Sequence, residues 1–242
     1  MTAHAPSAIS SPIGASYMRT AIVFAERAKL VEANPPKNAF EWTTLHRALV
    51  ASSVLSSACA LEATVNEWFS YSAEIRGRKV EAKRAQIAKL WELGIPRTAS
   101  FQILSKYQIA LTQLGLEIFD EGAEPYQNAR SLVDLRNWLV HYEPSWEPTQ
   151  DFESDGTNPP HKRTKRLKGK FPVNPLCHKQ APFWPYKCLG AGCAVWAAES
   201  AFAFMDSFFE RADPKSTSRI GAAVFEKARK LGRQADWSAY GV

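Results

Sequence analysis

The chain has 242 residues, 45% of them hydrophobic and 22% charged, fractions that exclude wholesale disorder and a collagen-like repeat. Thirty Lys and Arg against 24 Asp and Glu leave a net charge of +6, which favours polyanionic partners such as nucleic acid without demonstrating one. Four cysteines (Cys59, Cys177, Cys188 and Cys193) are too few for a disulfide scaffold in a chain this long, so one main domain with an unstapled core and a reduced, cytoplasmic setting are expected.

The first residues, Met1 to Pro6, carry neither a basic region nor an apolar one, so no signal peptide is expected. The apolar stretches Ala48 to Leu61 and Cys188 to Ala198 are closed by Glu62 and Glu199 and fall short of a bilayer span, so no membrane partner is expected.

Residues 1–16, rich in Ala, Ser and Pro, read as a flexible arm. From Tyr17 the periodicity of Met18, Ile22, Ala25 and Ala28 predicts a helix to Ala33, stopped by Asn34-Pro35-Pro36. Leu45, Leu49, Val54, Leu61, Val65 and Phe69 lie on the apolar stripe of a second helix from Thr43 to Tyr71. Val80 to Leu93 reads as a charged helix with Ile87, Leu90 and Trp91 on its apolar face, ending at Gly94. Phe101 to Phe119 follows, and then a helix from Pro125, a good first-turn residue, to His141.

Composition then changes. Residues 143–186 hold eight of the fifteen prolines, and within them His161 to Lys170 carries six cations and no acid. Helical periodicity returns from Cys188 to Arg211 through Val195, Trp196, Phe202, Met205, Phe208 and Phe209, and Pro214 ends it. Residues 218–232 read as a short basic helix before a tail with Trp237 and Tyr240. No strand-like alternation of useful length and no solenoid repeat is present. The expected fold is all-α: an antiparallel helical bundle with a long Pro-rich basic insertion before the last core helix. The expected divisions are an arm over 1–16, a helical domain over 17–212 containing the insertion at 143–186, and a basic helix and tail over 213–242.

The stretch that carries chemistry is Leu132-Val133-Asp134-Leu135-Arg136-Asn137-Trp138-Leu139-Val140-His141-Tyr142. Leu132, Val133, Leu135 and Leu139 supply a buried side. Asn137 and His141 are four apart on one face, while Arg136 and His141 are separated by about 140° around the helix. Pro144 disfavours helical geometry at Glu143, which puts His141 in the last turn. The dipole there favours imidazolium, and the Arg136 charge opposes it. These residue types suit RNA cleavage. RNA brings its own nucleophile, the 2′-OH, so the reaction needs proton transfer and charge stabilisation. A His moves protons, and an Arg fork holds phosphate oxygens.

On the earlier long helix, Glu62 and Asn66 are polar residues one turn apart within an apolar stripe. Together with Arg136, Asn137 and His141 they resemble the HEPN superfamily, α-helical bundles with an Arg-x4–6-His motif and often Asn, Asp or His after the Arg. The resemblance covers roughly residues 17–142 and 188–211. It implies a metal-independent endoribonuclease with Arg136, Asn137 and His141 as catalytic residues and no cofactor. It implies a homodimer with a composite active site acting on RNA. Its settings include toxin–antitoxin modules with an antitoxin protein, phage defence and RNA processing. Some members are non-catalytic modules binding RNA, nucleotide or a partner protein. The insertion departs from the family pattern.

Other residues have two readings. Glu62 and Asn66 either satisfy each other or a backbone group, or hydrogen-bond Arg136 or Asn137 and orient the motif. Lys162, Arg163, Lys165, Arg166, Lys168 and Lys170 either contact an RNA backbone or form a solvated loop. Phe171, Phe183, Trp184 and Tyr186 either stack on bases or pin the insertion to the bundle, with pinning favoured. Cys177, His178, Cys188 and Cys193 have no usual structural-zinc spacing, and Cys193 lies among apolar helix residues. His46 is expected to be a partly exposed residue of the second helix. No phosphate-binding glycine loop or nucleophile elbow is present.

Overall fold

The computed structural model describes residues 12–35, 37–74, 82–96, 102–142, 162–215 and 220–234. Among them every regular element is helical. Five helices precede the Pro-rich region: α1 (Ile13–Ala33), α2 (Ala39–Glu74), α3 (Ala82–Glu92), α4 (Ile103–Leu114) and α5 (Tyr126–Val140). Then come the short α6 (Lys162–Leu167), a kinked turn over Phe183–Lys187, the core helix α7 (Ala191–Ala212) and α8 (Ala222–Gln234). Residues 1–11 of the expected arm, 143–161 of the insertion, and Trp237 and Tyr240 lie outside the described residues.

The bundle is organised around α2. α1 and α7 pack along it, α5 contacts both α2 and α7, and α4 bridges α2, α5 and α7. Each helix turns its apolar stripe inward: Met18 and Ile22 from α1, Leu61 and Val65 from α2, Tyr107 and Leu111 from α4, Leu132 and Leu135 from α5, Phe204 and Phe208 from α7. The stretch Thr43–Ser72 is, by length and a mean hydropathy of 1.6, apolar enough to cross a membrane, which the two shorter apolar stretches read from the sequence did not suggest. More than half of it is buried against other helices, the mark of a bundle's central helix.

Several boundaries differ from expectation, and α2 runs longer at both ends than the expected Thr43 to Tyr71. α1 begins at Ile13, inside the expected arm, because a non-local contact extends it. Glu67 Oε1 on α2 accepts from the Gly14 N–H at 2.8 Å. It satisfies one of the donors that open every helix, and Gly14 lies so close to Thr64 that a Cβ would meet its Oγ1 at 2.6 Å. α4 ends at Leu114, since Gly115 turns left-handed at φ 69° and closes the helix. The chain then leaves helical structure over 116–120, with Ile118 exposed and Phe119 buried under the Arg211 guanidinium. In α5, Pro125 is the capping residue and His141 the C-cap, one position beyond the last turn.

Candidate functional site

α5 forms because Ala129, Leu132 and Leu135 recur at helical spacing and bury completely. Its last turns carry the motif outward. Arg136 is half-buried, and Asn137 and His141 are exposed. Arg136 Nη1 donates to Asn137 Oδ1 at 2.9 Å, so Asn137 restrains the guanidinium. The His141 N–H donates to the Asn137 backbone carbonyl at 2.8 Å, the last bond of the helix, while its own φ of −112° and ψ of 51° leave helical space. His141 therefore stands at the carbonyl-rich end of α5.

The Arg136 charge reaches Cys59 on α2. It draws the Cys59 thiol toward ionisation, but burial outweighs it and the Glu62 charge adds to burial, so the Cys59 pKa is raised. Glu62 and Asn66 are committed to a residue that sequence reasoning missed. Glu62 Oε1 and Asn66 Oδ1 accept from Lys106 Nζ at 3.0 and 3.1 Å. Lys106 on α4 is 1% exposed, and a buried ammonium requires acceptors. Both residues thus serve this cation, in place of the expected bonds to Arg136 or Asn137. The only sequence signal for the pairing was a lysine on the apolar stripe of α4 between Ile103 and Ala110.

The basic segment is folded down onto the bundle. Arg166 pairs with Asp134, and Lys170 Nζ lies 3.1 Å from Glu124 Oε1 and also bonds Asn128, so two of the six cations latch α6 and its following turn across α5. Arg163 stacks over the Trp184 ring with its guanidinium 5.3 Å from the centroid. Lys162, Lys165 and Lys168 are exposed. Phe171, Phe183 and Trp184 are buried, with Trp184 edge-on to Trp138 at 4.6 Å and Phe171 against Trp196 at 5.3 Å. These three pin the segment; Tyr186 alone of the four aromatics stays half-exposed.

His46 differs from its expected exposure. It is 1% exposed, with Nε2 2.9 Å from Glu32 Oε1. The same oxygen accepts from the Ala191 N–H at 2.7 Å. Glu32 of α1 therefore caps α7, whose own N-cap, Gly190, has no side chain to offer.

The cysteines are separate features. Cys188 and Cys193 are free and buried, and a hydrogen bond to Cys188 together with burial pushes the Cys193 thiol well up. Cys177 donates to the Tyr186 carbonyl at 3.2 Å, and burial raises its pKa. His178 is exposed, its Nδ1 accepting from the Gln180 N–H at 3.3 Å. Among the described residues no three His, Cys, Asp or Glu side chains converge as metal ligands do.

Two surfaces thus share the end of α5. One bears Arg136, Asn137 and His141. The other, formed by Trp138, Leu139 and Tyr142, walls a cavity of about 430 Å³ against α2 and residues 174–189. No protein-family model matches the chain, and neither a curated protein nor a solved structure is significantly similar to it.

Proposed function

We propose that this protein is a HEPN-like, metal-independent endoribonuclease working from the C-terminal end of α5. The observation that carries the reading is the half-buried Arg136, its guanidinium bonded to Asn137, on the last turns of the same helix whose C-cap is the exposed His141. In this mechanism one imidazole takes the proton from the 2′-OH as that oxygen attacks the adjacent phosphorus. The P–O5′ bond breaks, and a protonated imidazole supplies the departing 5′-oxygen with its proton. Arg136 holds the non-bridging oxygens and stabilises their growing charge, and Asn137 keeps the guanidinium aimed. The products are a 2′,3′-cyclic phosphate and a 5′-hydroxyl. Because Arg136 and His141 leave the helix about 140° apart, the reading requires a homodimer in which the two copies complete each other's site. RNA is the substrate, an antitoxin protein is the expected partner in a toxin or phage-defence setting, and the expected location is the cytoplasm.

The same divergence favours a second reading, a non-catalytic HEPN-like module that binds RNA, nucleotide or a partner protein. Cleavage of RNA in excess EDTA, with product ends mapped, separates them. The enzyme reading expects cyclic-phosphate ends from the wild type, and a loss of at least about 100-fold in rate with His141→Ala while RNA affinity persists. Cleavage unchanged in His141→Ala would overturn the assignment. RNA affinity without cleavage in the well-folded wild type selects the binding module.

A further inference from the structure

The cavity on the other side of α5 has a construction of its own. Its aromatic surfaces are Trp138, Tyr142 and Tyr186. Trp138 is fixed between Trp184 at 4.6 Å and Tyr142 at 5.2 Å, both edge-on. Tyr142 and Tyr186 are 59% and 50% exposed, two large rings lining one cavity and open to solvent. Val50, Leu139 and Leu189 add aliphatic surface. The wall opposite α5 is preformed. Asn174 Nδ2 donates to the Leu189 carbonyl at 3.1 Å, its N–H to the Lys187 carbonyl at 2.8 Å, and its Oδ1 accepts from the Leu176 N–H at 3.0 Å. Gly190 allows this closeness, since a Cβ there would stand 2.8 Å from Asn174 Cα.

Polar capacity is sparse and uneven. The Asn174 side chain is spent on the wall, and the Cys177 thiol on the Tyr186 carbonyl. His46, which lines the cavity, is spent on Glu32, and the same carboxylate takes the Ala191 N–H, so the α7 N-terminus offers its first N–H to no other anion. Arg47 is exposed and lines the cavity, and its charge reaches the Cys177 side. One guanidinium fork matches one carboxylate in geometry and charge. A phosphate dianion would want helix-terminal amides, and the first N–H of α7 is already taken by Glu32. Lys187, whose charge also reaches Cys177, bonds the Lys179 carbonyl. Flat rings, aliphatic lining and Arg47 as the one Lys or Arg among the described lining residues describe a flat apolar body with one anionic group.

We propose that this cavity is a binding site for a planar aromatic monocarboxylate, with the ring between Tyr142, Tyr186 and Trp138 and the carboxylate on Arg47. A free aromatic acid and a peptide ending in an aromatic residue share this chemistry.

Calorimetric titration of the full chain with 2-naphthoate tests it, against 2-naphthamide, 2-naphthyl phosphate and decanoate. Saturable one-to-one binding is expected, weakened about tenfold by replacing the carboxylate with the amide and by Arg47→Ala. Tyr186→Ala is expected to weaken it by a similar factor. Both variants alter exposed side chains, and unchanged melting confirms their folding. No saturable binding at millimolar naphthoate overturns the site. Equal affinity for the amide overturns the role of Arg47, tighter binding of decanoate overturns the planar requirement, and tighter binding of the phosphate overturns the carboxylate. A tetrapeptide ending in a free-carboxylate Trp separates the sources, tighter binding than naphthoate assigning a peptide end and weaker binding a free acid. None of these outcomes depends on whether RNA is cleaved.

Discussion

Phe204 and Trp184 are both large, buried aromatic side chains, but they close different kinds of contact. Phe204 sits where four elements meet, against Tyr107 at 4.9 Å, Phe119 at 4.6 Å and Tyr126 at 6.1 Å. Trp184 closes one docked segment, residues 162–190, onto the outer side of α5, assisted by the Arg166–Asp134 and Lys170–Glu124 pairs on the surface. The bundle is thus held by shared apolar burial, which couples its helices into one cooperative unit. The docked segment is held by a few aromatic anchors and by ion pairs that water and salt weaken, so it has the means to open without the bundle. Its position matters because Tyr186 and Asn174 supply one wall of the α5 cavity.

Substitutions can break that comparison. Phe204→Ala is expected to cost about 3–5 kcal/mol of global stability through lost burial and the cavity left behind, read as a fall in cooperative Tm. Trp184→Ala should instead raise hydrogen exchange across 162–190 by an opening of about 1–3 kcal/mol. A global destabilisation equal to that of Phe204→Ala would erase the distinction.

Tyr107 gives the bundle a pH signature. It is fully buried, its hydroxyl donates to the Leu61 carbonyl at 2.6 Å, and burial, reinforced by the Glu67 charge, holds its pKa well above the ordinary 10.0. The folded state thus keeps a proton that the unfolded chain gives up. This contribution is complete below about pH 10 and is lost as pH rises beyond it. Melting from pH 8 to 11 should show an alkaline decline that Tyr107→Phe flattens, at a cost of about 1 kcal/mol near neutrality. Arg166→Ala is the smallest expected effect, about 0.2–1 kcal/mol confined to the docked segment and absent in high salt.

Much of the helical layout was legible in the residues. The stripes of α1, α2, α5 and α7 follow the apolar periodicity, and Asn34 and Gly94 lie at the predicted stops, because both signals are local. Gly115 marked the end of α4, but the apolar residues beyond it, Ile118 and Phe119, carried the predicted helix too far. At the candidate site, the sequence placed Arg136, Asn137 and His141 together near the end of one helix. It did not reveal that Glu62 and Asn66 hold Lys106, that Arg166 and Lys170 latch onto α5, or that Arg47, His46, Cys177 and Tyr186 gather beside Trp138.

What the sequence by itself determined is therefore one-dimensional: which stretches are helical, which face of each is apolar, and which end of α5 bears the motif. Only the tertiary structure decided how the polar groups are shared. Glu67 caps α1 from 53 residues away, and Glu32 caps α7 from 159 residues away. Periodicity is set between neighbours along the chain, whereas a buried charge or an open helix end accepts whichever partner packing brings within reach.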